Sequence, residues 1–140
     1  MTKKDFESIH HFTQKEIEAT GAKIKDVKFE LIKALDNLRG TLGVRMFLQK
    51  NGLTTGDHSS PEHAAGLAVD WYVTTDFHPM MIMAMAVNVG FKIIGIYWNG
   101  KMLSYHTALS PYYKKPWLGR KDKPGDPWKY ETVNLDPRIK

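Results

Sequence analysis

Apolar and polar positions recur along this chain with two different periods, and the change of period separates its elements. Val27, Leu31, Leu35 and Leu38 fall on one face at helical spacing, with Asp26 as the predicted cap and Gly40 as the predicted stop. Upstream, Phe12-Thr13-Gln14-Lys15-Glu16 carries a capping box, which predicts a short helix that ends at Gly21. Residues 44–48 read as a strand, with Arg45 set between apolar neighbours. Residues 67–73 are apolar and β-branched, which predicts a buried strand. Thr75-Asp76 opens a Met- and Ala-rich segment running to about Asn88, predicted as a helix with Pro79 in its first turn. It is apolar nearly all round, so a central position is expected and its methionines read as core. Residues 91–98 and 101–109 alternate around Asn99-Gly100, the signature of a hairpin with a type I′ turn.

This order of elements predicts an α+β fold: a single domain with a largely antiparallel sheet and helices on one side. The loop at 51–60 is long enough to be functional. Residues 1–110 form the predicted main domain. Beyond it, Pro111, Pro116, Pro124, Pro127 and Pro137 exclude long regular elements. Tyr112, Tyr113, Trp117, Trp128 and Tyr130 mark 111–140 as a tail that packs on the domain or on a partner.

Composition narrows the chemistry. The chain of 140 residues holds no cysteine, so a metal must be held by His, Asp or Glu. The net charge of +5 is uneven: residues 1–110 contribute +1 and residues 111–140 contribute +4. A basic tail suits an anionic or protein partner; nucleic acid ranks below packing and docking. No apolar run reaches the roughly 18 residues of a membrane span. The start lacks the apolar stretch of a secretory signal, so synthesis in the cytoplasm is expected.

The chemistry concentrates in Ser60-Pro61-Glu62-His63-Ala64-Ala65-Gly66-Leu67-Ala68-Val69-Asp70. An imidazole in a turn precedes a carboxylate in a strand, and a second imidazole, His106, stands on a later strand. Two imidazoles and one carboxylate are the donor set of an open zinc site. His63, Asp70 and His106 are the predicted metal ligands, with the site on the sheet and His58 as the rival third donor. Glu62 adjoins a ligand and Asp57 lies in the loop; both are candidate proton acceptors. His10, His11 and His78 have no predicted catalytic role.

The pattern His-x-x-Gly-x-Ala-x-Asp at 63–70, with Ser60 before it and a later strand His, resembles the zinc D-Ala-D-Ala carboxypeptidase and L-alanyl-D-glutamate endopeptidase family. The Phe-Thr-x-x-Glu opening and the Gly-Ile-Tyr-Trp-Asn-Gly hairpin are similar too. The resemblance covers residues 12–111. It implies Zn2+ held by His63, Asp70 and His106, and cleavage of peptidoglycan stem peptides in the manner of a phage lysin. It also implies action at the cell wall, reached through a lysis pore or as part of a virion. Members carry a carboxylate or a histidine just before the last ligand; here Leu103 and Ser104 stand there. Many continue from that ligand as His-x-Asp-x-Arg, where this chain has His106-Thr107-Ala108-Leu109-Ser110. Their substrate-holding Arg segment is replaced by Leu48-Gln49-Lys50-Asn51-Gly52, which leaves Arg45 or Lys50 as the substrate-binding cation. The alternative expectation is therefore a catalytically impaired structural or adaptor protein, docked through 111–140.

Overall fold

Thr13 starts α1 (Gln14–Glu18) as its capping box predicts, with its hydroxyl accepting the Glu16 N–H at 3.2 Å. Gly21 turns the chain away at φ +98°. The computed structural model describes residues 1–133; residues 134–140, which include Pro137, lie outside the described residues.

The long helix α2 (Phe29–Leu42) differs from expectation at both ends. Asp26 sits in a single 3-10 turn, and Lys28 occupies the cap position without a side-chain bond. Gly40 lies inside the helix, which runs on to a left-handed Gly43 at φ +69°. The reason is Leu42, which continues the buried stripe of Leu31, Leu35 and Leu38 by one more turn. The Met-rich helix α4 (Pro79–Asn88) begins later than Thr75-Asp76, because His78 Nδ1 accepts the Met80 N–H at 3.1 Å. It is peripheral rather than central. Ile82, Met83 and Ala86 are buried, whereas Met81 and Val87 face solvent.

Six strands make one sheet: β1 (Met46–Leu48), β2 (Ala68–Val73), β3 (Ile93–Trp98), β4 (Leu103–Ala108), β5 (Trp117–Arg120) and β6 (Lys129–Thr132). Their order is β1-β2-β4-β3-β5-β6, antiparallel except where β5 joins β3 in parallel. The proline-rich tail thus supplies two short strands to the same sheet. The β3–β4 turn is centred on Gly100–Lys101 rather than on Asn99-Gly100. The Asn99 N–H donates to the Met102 carbonyl, and of the two central residues Gly100 alone has positive φ, at +91°. Asn99 Oδ1 braces it by accepting from the Lys101 and Met102 amides.

Alternation along the strands gives the sheet two unlike faces. Val69, Trp71, Ile94, Ile96 and Tyr105 meet Leu31, Leu35 and Leu38 of α2 in the core. Trp71 stacks on Tyr105 at 4.7 Å, and its indole N–H donates to Thr107 Oγ1 at 2.9 Å. The opposite face carries Asp70, His106, Tyr97 and Trp117. Among the described residues no helix is long and apolar enough to cross a membrane.

Candidate metal centre

One row of residues runs straight across the sheet. Asp70 on β2 pairs with His106 on β4, His106 with Gly95 on β3, and Gly95 with Trp117 on β5. Directly paired residues project from the same face, so register alone sets the carboxylate beside the imidazole. Gly95 is required by what comes next in the row. A Cβ there would enter the Trp117 indole, which lies over β3 with its ring centroid 5.6 Å from that of His106. Gly119 serves the neighbouring row, where a Cβ would stand 2.8 Å from the Tyr97 ring.

His63 reaches this face from α3 (Pro61–Ala64), a single turn started by Ser60, whose hydroxyl accepts the Glu62 N–H at 3.3 Å. Gly66 ends the turn at φ +73°, with its missing Cβ replaced by the Asp26 carbonyl. The Lys28 N–H donates to the Gly66 carbonyl at 3.0 Å, which fastens the turn to the entrance of α2. His63 Nδ1 faces the Leu53 carbonyl at 2.7 Å and must therefore carry the proton. Its Nε2 is left free, 3.4 Å from Asp70 Oδ1 and 3.2 Å from His106 Nδ1. His106 Nδ1 is in turn 2.9 Å from Asp70 Oδ1.

These three atoms form a triangle with sides of 2.9, 3.2 and 3.4 Å. Donors around tetrahedral zinc, bound at about 2.0–2.1 Å, stand about 3.4 Å apart. The triangle therefore approximates one face of such a tetrahedron. With His63 neutral, its Nε2 and the carboxylate oxygen are both acceptors that share the one His106 proton; a second proton on His63 turns Nε2 into a donor to Asp70. Burial pushes the Asp70 carboxyl up, but hydrogen bonds from His106 and His63 prevail and hold it at about 2. Burial depresses His63 as well, yet its bond to Asp70 and the Asp70 charge raise it above its ordinary value. His106 Nε2 is buried without a hydrogen-bond partner.

His58 is the fourth member. Its Nε2 is held by the Asn51 and Thr55 carbonyls at 2.7 and 2.8 Å, which places the ring proton there. Its ring stacks on His63 at 3.6 Å, and its Nδ1 lies 3.9 Å from Asp70 Oδ2. His58, His63 and Asp70 offer donor atoms within 4.8 Å of one another and can hold a metal ion. The 3.9 Å separation exceeds a tetrahedral edge, so the tighter triad is that of His63, Asp70 and His106.

All four side chains line a cleft of about 400 Å³. Glu62 lines it too; the Ser60 hydroxyl donates to its carboxylate and holds it below its ordinary value against the effect of burial. Asp57 is exposed and off the lining. Arg45 stands over the Phe47 ring at 4.7 Å, also off the lining, and the cation present there is Lys114. Sequence reasoning missed Lys114, Gly95 and the roles of Trp117 and Trp128 as wall. A glycine inside an apolar strand was the available signal for a close approach over β3. Comparison of the chain with protein-family models, curated proteins and solved structures returns no match.

Proposed function

We propose that this protein is a zinc-dependent peptidase that cleaves amide bonds in peptidoglycan stem peptides. The observation that carries the proposal is the convergence of His63 Nε2, Asp70 Oδ1 and His106 Nδ1 on one point in a cleft. The resemblance of the 63–70 motif to the zinc carboxypeptidase and endopeptidase family supports the substrate class. When bound, zinc supplies Lewis acidity, lowering the pKa of a water and polarising a carbonyl. The chain's own residues do the rest. The Leu53 carbonyl fixes the His63 tautomer so that Nε2 faces the site. Glu62, on the cleft lining, accepts the proton released by the attacking water.

Metal-stripped and zinc-restored protein, each incubated with purified cell-wall sacculi, tests the proposal. New amine and carboxylate termini in the stem peptides are expected only after zinc is restored. Intact stems after prolonged incubation at one zinc per chain would overturn it. Leu103 and Ser104, where the similar family carries proton-transfer groups, favour a second reading: a zinc-holding structural or adaptor protein, such as a virion component. Stoichiometric zinc without hydrolysis, and a stable protein complex lost on deleting 111–140, would support that reading.

A further inference from the structure

Tyr97 lines the cleft from the site face of β3, two residues along from Gly95, the neighbour of His106 in the metal row. Its ring lies over Gly119 of β5 and meets Trp117, Trp128 and Tyr130 edge to face, with interplanar angles of 86°, 81° and 88°. The Trp117 indole N–H donates to the Tyr97 hydroxyl at 3.0 Å. That nitrogen stands 2.7 Å from where a Gly95 Cβ would be, so the bond draws the hydroxyl back over the metal row. An indole only donates, so the Tyr97 oxygen is the acceptor and its own proton points elsewhere. Among the described residues no group accepts that proton. Burial pushes the hydroxyl above its ordinary value of 10.0 against the effect of the Trp117 bond, so the proton stays in place through the neutral range.

A clamped hydroxyl with a spare proton has a definite use in amide cleavage. As water adds to the amide carbon, the carbonyl oxygen gains negative charge. A donor already fixed beside that oxygen stabilises the charge without having to reorganise. Other donors on the lining fit the part less well. The Lys114 ammonium is exposed and lies over the Trp117 ring at 4.8 Å. Ser104 pairs with Tyr97 across the β3–β4 ladder, but among the described residues no partner fixes its hydroxyl. We propose that Tyr97 is a catalytic residue, whose hydroxyl donates a hydrogen bond to the carbonyl oxygen of the scissile amide. This rests on the proposed peptidase function and names the group that steadies the developing charge.

Two measurements on the full chain test it, the first without hydrolysis. Acetohydroxamate, a small ligand that brings a charged oxygen to an open zinc site, is titrated calorimetrically into the zinc-loaded protein. Y97F is expected to bind it about tenfold more weakly than wild type. S104A, and a protein with 3-fluorotyrosine at position 97, which keeps the donor, should both bind as wild type does. Equal affinity in wild type and Y97F, or a loss confined to S104A, would overturn the proposal whether or not the protein is a peptidase. The fluorine NMR signal of the 3-fluorotyrosine protein should move as the hydroxamate binds. A signal unmoved at saturation would overturn the proposal even if Y97F does not fold. In the second measurement, Y97F is expected to cleave stem peptides with kcat lowered about a hundredfold and KM nearly unchanged. A loss carried by KM alone would overturn the catalytic role while leaving the peptidase proposal intact. No cleavage by wild type, with the Tyr97-dependent hydroxamate affinity present, would overturn the peptidase proposal and leave the donor in place.

Discussion

His106 and Asp70 face each other directly across the β2–β4 ladder, with His106 Nδ1 2.9 Å from Asp70 Oδ1. The centre therefore depends on strand register more than on loop conformation. A slip of one residue in β4 would send His106 to the core face and bring a neighbour to the site. Replacing either residue with alanine removes a donor from the triad. On the proposed zinc site, D70A and H106A are each expected to weaken zinc binding by about a hundredfold or more. H78A, whose side chain caps α4, should leave binding unchanged. Competition with a chromophoric chelator measures this, and wild-type affinity in both D70A and H106A would place the metal elsewhere.

Gly95 is the only position in the metal row without a side chain, and the indole of Trp117 occupies that space. A methyl group has nowhere to go between β3 and that ring. G95A is expected to lose about 1–3 kcal/mol of stability through overpacking. Its tryptophan emission should also shift to longer wavelength as Trp117 is displaced. Urea unfolding with intrinsic fluorescence reads both; an unaltered spectrum and midpoint would show that Trp117 does not depend on the gap.

Asp36 is 2 % exposed on α2, and its carboxylate accepts the backbone N–H groups of His10 and His11 at 2.7–3.2 Å. It ties the N-terminal segment to the helical layer. D36A strands those two donors and is expected to cost about 2–4 kcal/mol. D36N keeps one acceptor oxygen and should cost less. Denaturant midpoints for the pair decide it, and equal midpoints would mean that the bonds contribute little.

Burial pushes the Tyr105 hydroxyl up to about 12 from an ordinary value of 10.0. The folded chain thus keeps a proton that the unfolded chain releases in that interval. The resulting stabilisation is complete below the unfolded value and disappears as pH climbs through the folded one. Stability of the wild type should therefore fall between about pH 10 and 12, by an amount of order 2 kcal/mol more than in Y105F. Urea titrations of both proteins across that range check the difference, and parallel curves would remove Tyr105 as its source.

Much of this architecture is legible in the chain, for identifiable reasons. The Thr13 cap, the Leu stripe of α2 and the β3–β4 alternation are local patterns, and local patterns are what a linear reading detects. The bounds of α2 went astray because Leu42 packs on the core, a tertiary effect stronger than the pull of Gly40 to stop the helix. The apolar face of α4 gave no hint that Met81 and Val87 would meet solvent. His63 and Asp70 were singled out by their motif, and His106 by its donor chemistry and the family resemblance; the three lie together. Lys114, Trp117 and Trp128 were not visible as wall, since only the parallel pairing of β5 with β3 carries them there. Nothing short-range in a proline-rich stretch announces a partner strand that far back in the chain.

That parallel pairing has a consequence for assembly. Gly95 and Trp117 meet across 22 positions of chain, whereas the β3–β4 hairpin closes through a tight turn. Loop-closure entropy favours the hairpin first, with the terminal strands added to its free side later. The hairpin brings in His106 alone; Asp70 joins it across 36 positions, a longer closure than that of β5 on β3, so the same entropy sets β5 in place ahead of the carboxylate. A chain stalled or nicked near residue 110 would present an unroofed centre next to a bare, adhesive strand edge.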